Sequence, residues 1–263
     1  MLNTSSRLPA HLLSAQGERA STPARISISR VNLLLGVQSL VVILLSINRL
    51  ADFTQGAVAP NQFLRWVDLH NMLTLPLISL VAFFLLKREL EAAAPAHAQR
   101  ALFWLGLGFT LGIYLFGVGY GAHEVTNSLH VRFCTEAGVW TPGDGSLCSI
   151  IAFNDDEFSH WIWFAGFVLI NAMLMLLQTQ SADGSPAKGG AAAILLLNAL
   201  IMGLAIVANL AFEPIGADLY IVALLALLAL FLLRRQGARP LFTYYAAAYL
   251  LGLVVTAAFK LLA

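Results

Sequence analysis

Seven apolar runs dominate the chain, at residues 31–49, 67–86, 101–122, 159–178, 191–212, 217–233 and 240–261. A helix of about 20 apolar residues crosses roughly 30 Å of hydrocarbon, so each run is long enough to span a bilayer. The predicted fold is therefore all-α: a polytopic integral membrane protein with seven transmembrane helices. Composition agrees, since only 11% of residues are charged and 59% are hydrophobic, whereas a soluble domain carries roughly a quarter charged residues. A net charge of +1 excludes a nucleic-acid binder, which needs many more basic side chains on one face. Runs five and six are separated only by "EPIGA", which predicts a tight antiparallel hairpin.

Orientation follows from Lys and Arg, which accumulate in short cytoplasmic loops. An inside N-terminus places Arg7, Arg19, Arg25, Arg30, Lys87, Arg88, Arg100, Lys188, Arg234, Arg235 and Arg239 on the inner side. Arg49, Arg65, Arg132 and Lys260 remain outside, so the C-terminus is expected outside too. Residues 1–30 are polar and lack the apolar core of a cleavable signal peptide, and read as a flexible cytoplasmic tail. An organellar transit peptide is the alternative, because acidic residues are scarce there. Residues 31–263 then form a single transmembrane domain, expected in a bacterial inner (plasma) membrane.

The ionisable residues sort to one face. Ten of the 14 acidic residues fall on the expected outer side, and so do His70, His123, His130 and His160. An outer surface depleted of Lys and Arg must find polarity elsewhere, which accounts for acids but not for four histidines. Cys134 and Cys148 both lie in the outer loop, read as 131–158. An even count in a non-cytoplasmic loop predicts a disulfide closing that loop over the helix mouths. Free thiols or a metal pair would require a reducing compartment.

His123, Asn127 and His130 stand at i, i+4 and i+7, and share one face of a helix. Gly117 and Gly121, just inward, have the small-xxx-small spacing that lets two membrane helices approach closely. Span four opens "NDDEFSHWIWF", with Asp156 and His160 at i, i+4 and Glu157 and His160 at i, i+3, spacings that can hold one ion from a single helix. A di-iron bundle would want the Glu-x-x-His unit twice, and span three offers only Glu124-x-x-Asn127. Asn154, Asp155 and Glu157 read as helix caps, since acidic first-turn residues meet the positive end of the helix dipole. Trp161 and Trp163 read as interfacial aromatics. Span two begins "WVDLHNMLTLP" and brings Asp68, His70 and Asn71 to the same level. A histidine alone there is ordinarily interfacial, and His70 gains weight from its company.

Ionisable groups near hydrocarbon cost roughly 2.5–3.5 kcal/mol each at the bilayer centre, and persist mainly when paired or functional. Metal coordination satisfies imidazole and carboxylate together. The expected site is a metal centre on the periplasmic or extracellular side, with His123, His130 and His160 as ligands. Asp156 or Glu124 supplies a carboxylate, and His70 is the candidate fourth ligand. Such ligands suit a divalent ion, zinc first, with iron or copper as alternatives. Glu124 and Asp156 are the candidate catalytic carboxylates, Glu124 as a general base when uncoordinated.

The function these residues predict is a metalloenzyme that hydrolyses or oxidises a lipid or other amphiphile. Its expected partners are membrane lipids and a lipid-like small molecule. A metal or proton transporter or sensor, or an accessory membrane subunit, is the alternative. Spans five to seven contain no histidine. Asn171, Asn198 and Asn209 there and in span four are expected to hydrogen-bond between helices. Glu213 could approach the outer site from the five–six hairpin, and Lys260 is expected to snorkel to the outer interface.

Overall fold

Local signals set where the helices begin. The hydroxyl of Ser27, in extended backbone, accepts from the Arg30 N–H and opens α1 (Ile28–Leu50). Ser146 does the same through the Ser149 N–H, and Pro240 occupies a first helical position, where its missing N–H costs nothing. The computed structural model describes residues 25–60, 63–135, 143–181, 183–211 and 216–262. After α1 come α2 (Trp66–Ala92), α3 (Gln99–Phe133), α4 (Leu147–Gln180), α5 (Gly189–Leu210), α6 (Ala217–Gln236) and α7 (Pro240–Leu262). All seven are long and apolar enough to cross a membrane, and among the described residues a single bridge between Ala57 and Arg65 is the extended pairing. Large apolar side chains such as Leu33, Leu77, Leu107, Leu204, Leu227 and Val254 face outward, as lipid contact requires. The tail at 1–30 falls mostly outside the described residues, and α1 already begins at Ile28.

The helices pack in the ring order α1, α2, α4, α6, α7, α5 and back to α1, with α3 lying along α4. The core fills with Leu35, Leu86, Ile170, Leu174, Phe242, Tyr244 and Tyr249. The expected five–six hairpin is corrected: α5 and α6 pack on α7, which comes last in sequence, rather than along each other. The reason is glycine. A β-carbon at Gly203 would lie 2.7 Å from Leu251 and one at Gly252 would meet Ile206, so only glycine permits α5 and α7 to come this close.

The α3–α4 crossing uses the same device with different residues from those expected. Gly112 and Gly119, two turns apart on α3, and Gly166 on α4 line the crossing. A β-carbon at Gly119 would fall 2.6 Å from Trp163, and one at Gly166 would meet the backbone of Phe116 and Gly112. Gly117 has only Leu80 nearby, at 3.9 Å, and nothing lies within 4 Å of a β-carbon at Gly121. The pair named from spacing therefore sits off the contact face.

Polar side chains stitch α1 to its neighbours. Gln38 donates to the Ser79 carbonyl at 2.8 Å while the Ser79 hydroxyl donates back to Gln38 Oε1 at 2.6 Å. Ser39 donates to Asn198 Oδ1, and Asn198 donates to the Asn32 carbonyl, as expected of an interhelical asparagine. Asn171 and Asn209 differ: each donates to the carbonyl four residues back in its own helix, Phe167 and Ala205. Lys260 reaches the Ala211 carbonyl at 3.4 Å, while Glu213 lies outside the described residues.

Candidate metal centre

α3 has 35 residues, which at about 1.5 Å each is roughly 50 Å, far more than the hydrocarbon needs. The surplus projects at the histidine-bearing end and carries His123, Glu124, Asn127 and His130 on one continuous helix. α4 likewise begins at Leu147, twelve residues before the span read from hydropathy. The connector is thus 134–146 rather than 131–158. The disulfide between Cys134 and Cys148 joins the end of α3 to the start of α4. Removing it, as Cys134→Ser with Cys148→Ser, is expected to cost about 3 kcal/mol from the entropy of the released loop. Thermal unfolding of the oxidised and doubly substituted proteins measures that cost.

Two helices widen at this level. His70–Thr74 in α2 and Phe153–Phe158 in α4 each form a π turn, in which Leu75 N–H reaches the His70 carbonyl and Ser159 N–H reaches that of Asn154. One inserted residue per turn rotates what precedes it, and such turns are frequent at functional sites. The cap reading of Asn154, Asp155 and Glu157 is corrected here. The helix start lies at Ser146, Asn154 donates to the Ile150 carbonyl as an interior residue, and Asp155 points inward.

Asp155, 1% exposed, is the centre of the cluster. Its Oδ1 lies 3.0 Å from His123 Nδ1 and its Oδ2 lies 3.1 Å from His130 Nδ1. Thr126 donates to Oδ1 at 3.5 Å and Asn127 to Oδ2 at 3.4 Å, so one face of α3 surrounds one carboxylate. The Ser159 hydroxyl donates to the Asp155 carbonyl at 2.6 Å and steadies the π turn. The His160 ring lies against that of His123, centroids 5.0 Å apart. Among the described residues, His130, Asp155 and the exposed Asp156 bring three possible ligand atoms within 4.8 Å of one another. A carboxylate holding Nδ1–H of a ring fixes its tautomer and leaves Nε2 as the free ligand atom.

Glu124 belongs to a second network, facing α1 and α2. It is buried, lies 3.0 Å from Arg49 Nη2 in an ion pair, and accepts from Asn71 at 3.4 Å. Asn48 donates to Asn71 Oδ1 at 2.7 Å and to the Val67 carbonyl. Next to it, Asp68 takes a two-pronged contact from Arg65 and a bond from Ser128. That hydrogen-bonded carboxylate holds the Arg65 guanidinium above its ordinary pKa. Arg49→Ala would leave Glu124 with Asn71 alone. The expected loss is about 1–3 kcal/mol, toward the lower end because the Arg49 side chain is half exposed. The check is a shift in the unfolding midpoint that shrinks when Arg49→Ala is made in a Glu124→Gln background.

The structure therefore sets His123 and His130 on Asp155, lays His160 against the His123 ring and brings Asp156 beside His130, and among the described residues the group within reach of one ion is His130, Asp155 and Asp156. It commits Glu124 to an ion pair. His70 turns to its own helix, 3.2 Å from the Thr74 hydroxyl and stacked on Trp66. Asp155 and Arg49 are the residues that sequence reasoning passed over. The adjacent pair Asp155–Asp156 was the available signal, but the π turn that chooses between them has no signature in residue type. Comparisons with protein-family models, with curated proteins and with solved structures found no match.

Proposed function

We propose that the protein is a membrane metalloenzyme whose centre at the histidine-bearing end holds a divalent ion. The reading rests on one observation: a buried carboxylate, Asp155, contacts Nδ1 of both His123 and His130. In this reading Asp155 orients the two rings, their Nε2 atoms bind the ion, and His160 and Asp156 complete the set. Zinc suits these ligands, and iron or copper would also fit. Such an ion either activates water for hydrolysis or binds oxygen for oxidation. The substrate would be a lipid or another amphiphile entering from the bilayer, since the site stands where the spans leave the hydrocarbon. Asp156, exposed beside His130, is the group that would accept a proton when it is not itself bound to the ion. Glu124 is not, because Arg49 and Asn71 occupy it.

The Lys and Arg distribution supports a cytoplasmic N-terminus, and the disulfide supports an oxidising, periplasmic or extracellular setting for the site. A conduit for the ion is the weaker reading, because the depth beneath the cluster is packed with fully buried Ile170, Leu174, Met175 and Phe242.

Elemental analysis of the full chain purified from metal-supplemented medium tests the reading. About one equivalent of zinc, iron or copper is expected in wild type and none in His123→Ala with His130→Ala. Wild type that neither retains nor takes up any of the three on titration ends the proposal.

A further inference from the structure

At the opposite, Lys/Arg-rich end, α2 and α3 enclose an open cleft of about 460 Å³ lined by Arg88, Glu91, Ala92, Gln99, Leu102 and Phe103. Its chemistry is divided. Glu91 is neutralised by Lys87 at 2.7 Å, and Lys87 also lies 5.8 Å above the Phe109 ring. Arg88 is exposed and, among the described residues, makes no ion pair or hydrogen bond. The cleft therefore presents one uncompensated guanidinium and the Gln99 amide. Its other wall is apolar, Leu102 and Phe103, and the Phe103 ring meets that of exposed Trp104 edge-on at 5.2 Å. Exposed aromatics of this kind mark the headgroup level of a bilayer.

A cation, an amide donor and an apolar wall at that depth match a lipid phosphate with the start of its acyl chains. We infer that this cleft binds the headgroup of an anionic phospholipid, with Arg88 on the phosphate, Gln99 donating to it or to the glycerol oxygens, and Leu102 and Phe103 along the chains. A guanidinium engages phosphate through paired N–H donors, which a zwitterionic headgroup offsets with its own cation. Basic recesses between membrane helices at the cytoplasmic leaflet recognise anionic lipids on this principle. The inference is independent of the metal centre, which lies at the other end of the bundle.

The test measures lipid binding to the detergent-purified full chain by native mass spectrometry, with short-chain phosphatidylglycerol, phosphatidylcholine and inorganic phosphate as separate probes. Phosphatidylglycerol should bind wild type and weaken about tenfold in Arg88→Ala. It should be unchanged in Arg234→Ala, which removes an exposed cation at the same end but outside the cleft. Phosphatidylcholine should bind at least tenfold more weakly, and millimolar phosphate should not displace the lipid. Equal binding by Arg88→Ala and wild type overturns the proposal. Equal weakening in Arg234→Ala also overturns it, because diffuse surface charge is then sufficient. Displacement by phosphate would make the cleft a simple anion site and overturn the lipid assignment. Because Arg88 is exposed and unpaired among the described residues, its truncation leaves the fold intact, and unchanged thermal unfolding without lipid verifies this.

Discussion

Asp155→Ala is expected to lower affinity for the proposed divalent ion by about 10- to 100-fold, the usual consequence of removing a carboxylate that orients ligating histidines. Both oxygens of this buried side chain are in use, one on each ring. Without them His123 and His130 lose the group that fixes their tautomer and direction, and two ring nitrogens are left facing a small void. The stability cost is about 1–3 kcal/mol, since buried donors lose their acceptor. Asp155→Asn separates the two effects, because it retains shape but replaces one acceptor oxygen by a donor. Its affinity should fall nearly as far while its unfolding midpoint moves less. Titration against a chelator of known strength reads the affinity. If Asp155→Ala binds as wild type does, the two imidazoles are not held for a metal and the functional reading fails with them.

Gly166→Ala is expected to destabilise by about 2–3 kcal/mol, toward the upper range for forcing extra volume into packed structure. The added methyl meets the backbone of Phe116 and Gly112 instead of the tip of a flexible side chain, so α3 and α4 can only move apart. Gly121→Ala adds the same atom on the same pair of helices with nothing within 4 Å, and should stabilise by about 0.5–1 kcal/mol through helix propensity. Reversible unfolding of the two variants compares them directly. Equal effects would mean that the crossing is not where the backbone places it. Gly166 lies eleven residues, or about 16 Å, along α4 from Asp155, so spreading the crossing should also weaken the proposed ion binding.

The seven spans were legible because hydrophobic length is a local property of sequence. Their ends at the histidine-bearing side were not. The long apolar runs stop at His123 and resume only at Ser159, yet both helices continue through the stretches between, secured by the cystine and by bonds to buried carboxylates. The shared face of His123, Asn127 and His130 could be read because α3 there has regular α-helical geometry: all three side chains contact Asp155. On α4 the same arithmetic pointed to Asp156, which an unbroken α-helix would align with His160, whereas the widened turn brings Asp155 inward. Arg49 was counted only as a loop cation, since its pairing with Glu124 spans 75 positions and leaves no trace in spacing. Glycine spacing likewise identified a motif on α3 without saying which neighbour it would meet.

The π turn in α4 has a consequence for how this site could change. Two aspartates stand side by side, and a single surplus residue decides which is enclosed and which meets water. Deleting one position between 153 and 158 would restore ordinary winding and turn the upstream segment by about 100°. A turn of that size would carry one carboxylate into the direction the other now faces and move the other off the cluster, with no new side chain introduced. Which carboxylate the cluster encloses is thus set by counting as well as by chemistry, and a one-codon loss reaches a different arrangement on the same scaffold.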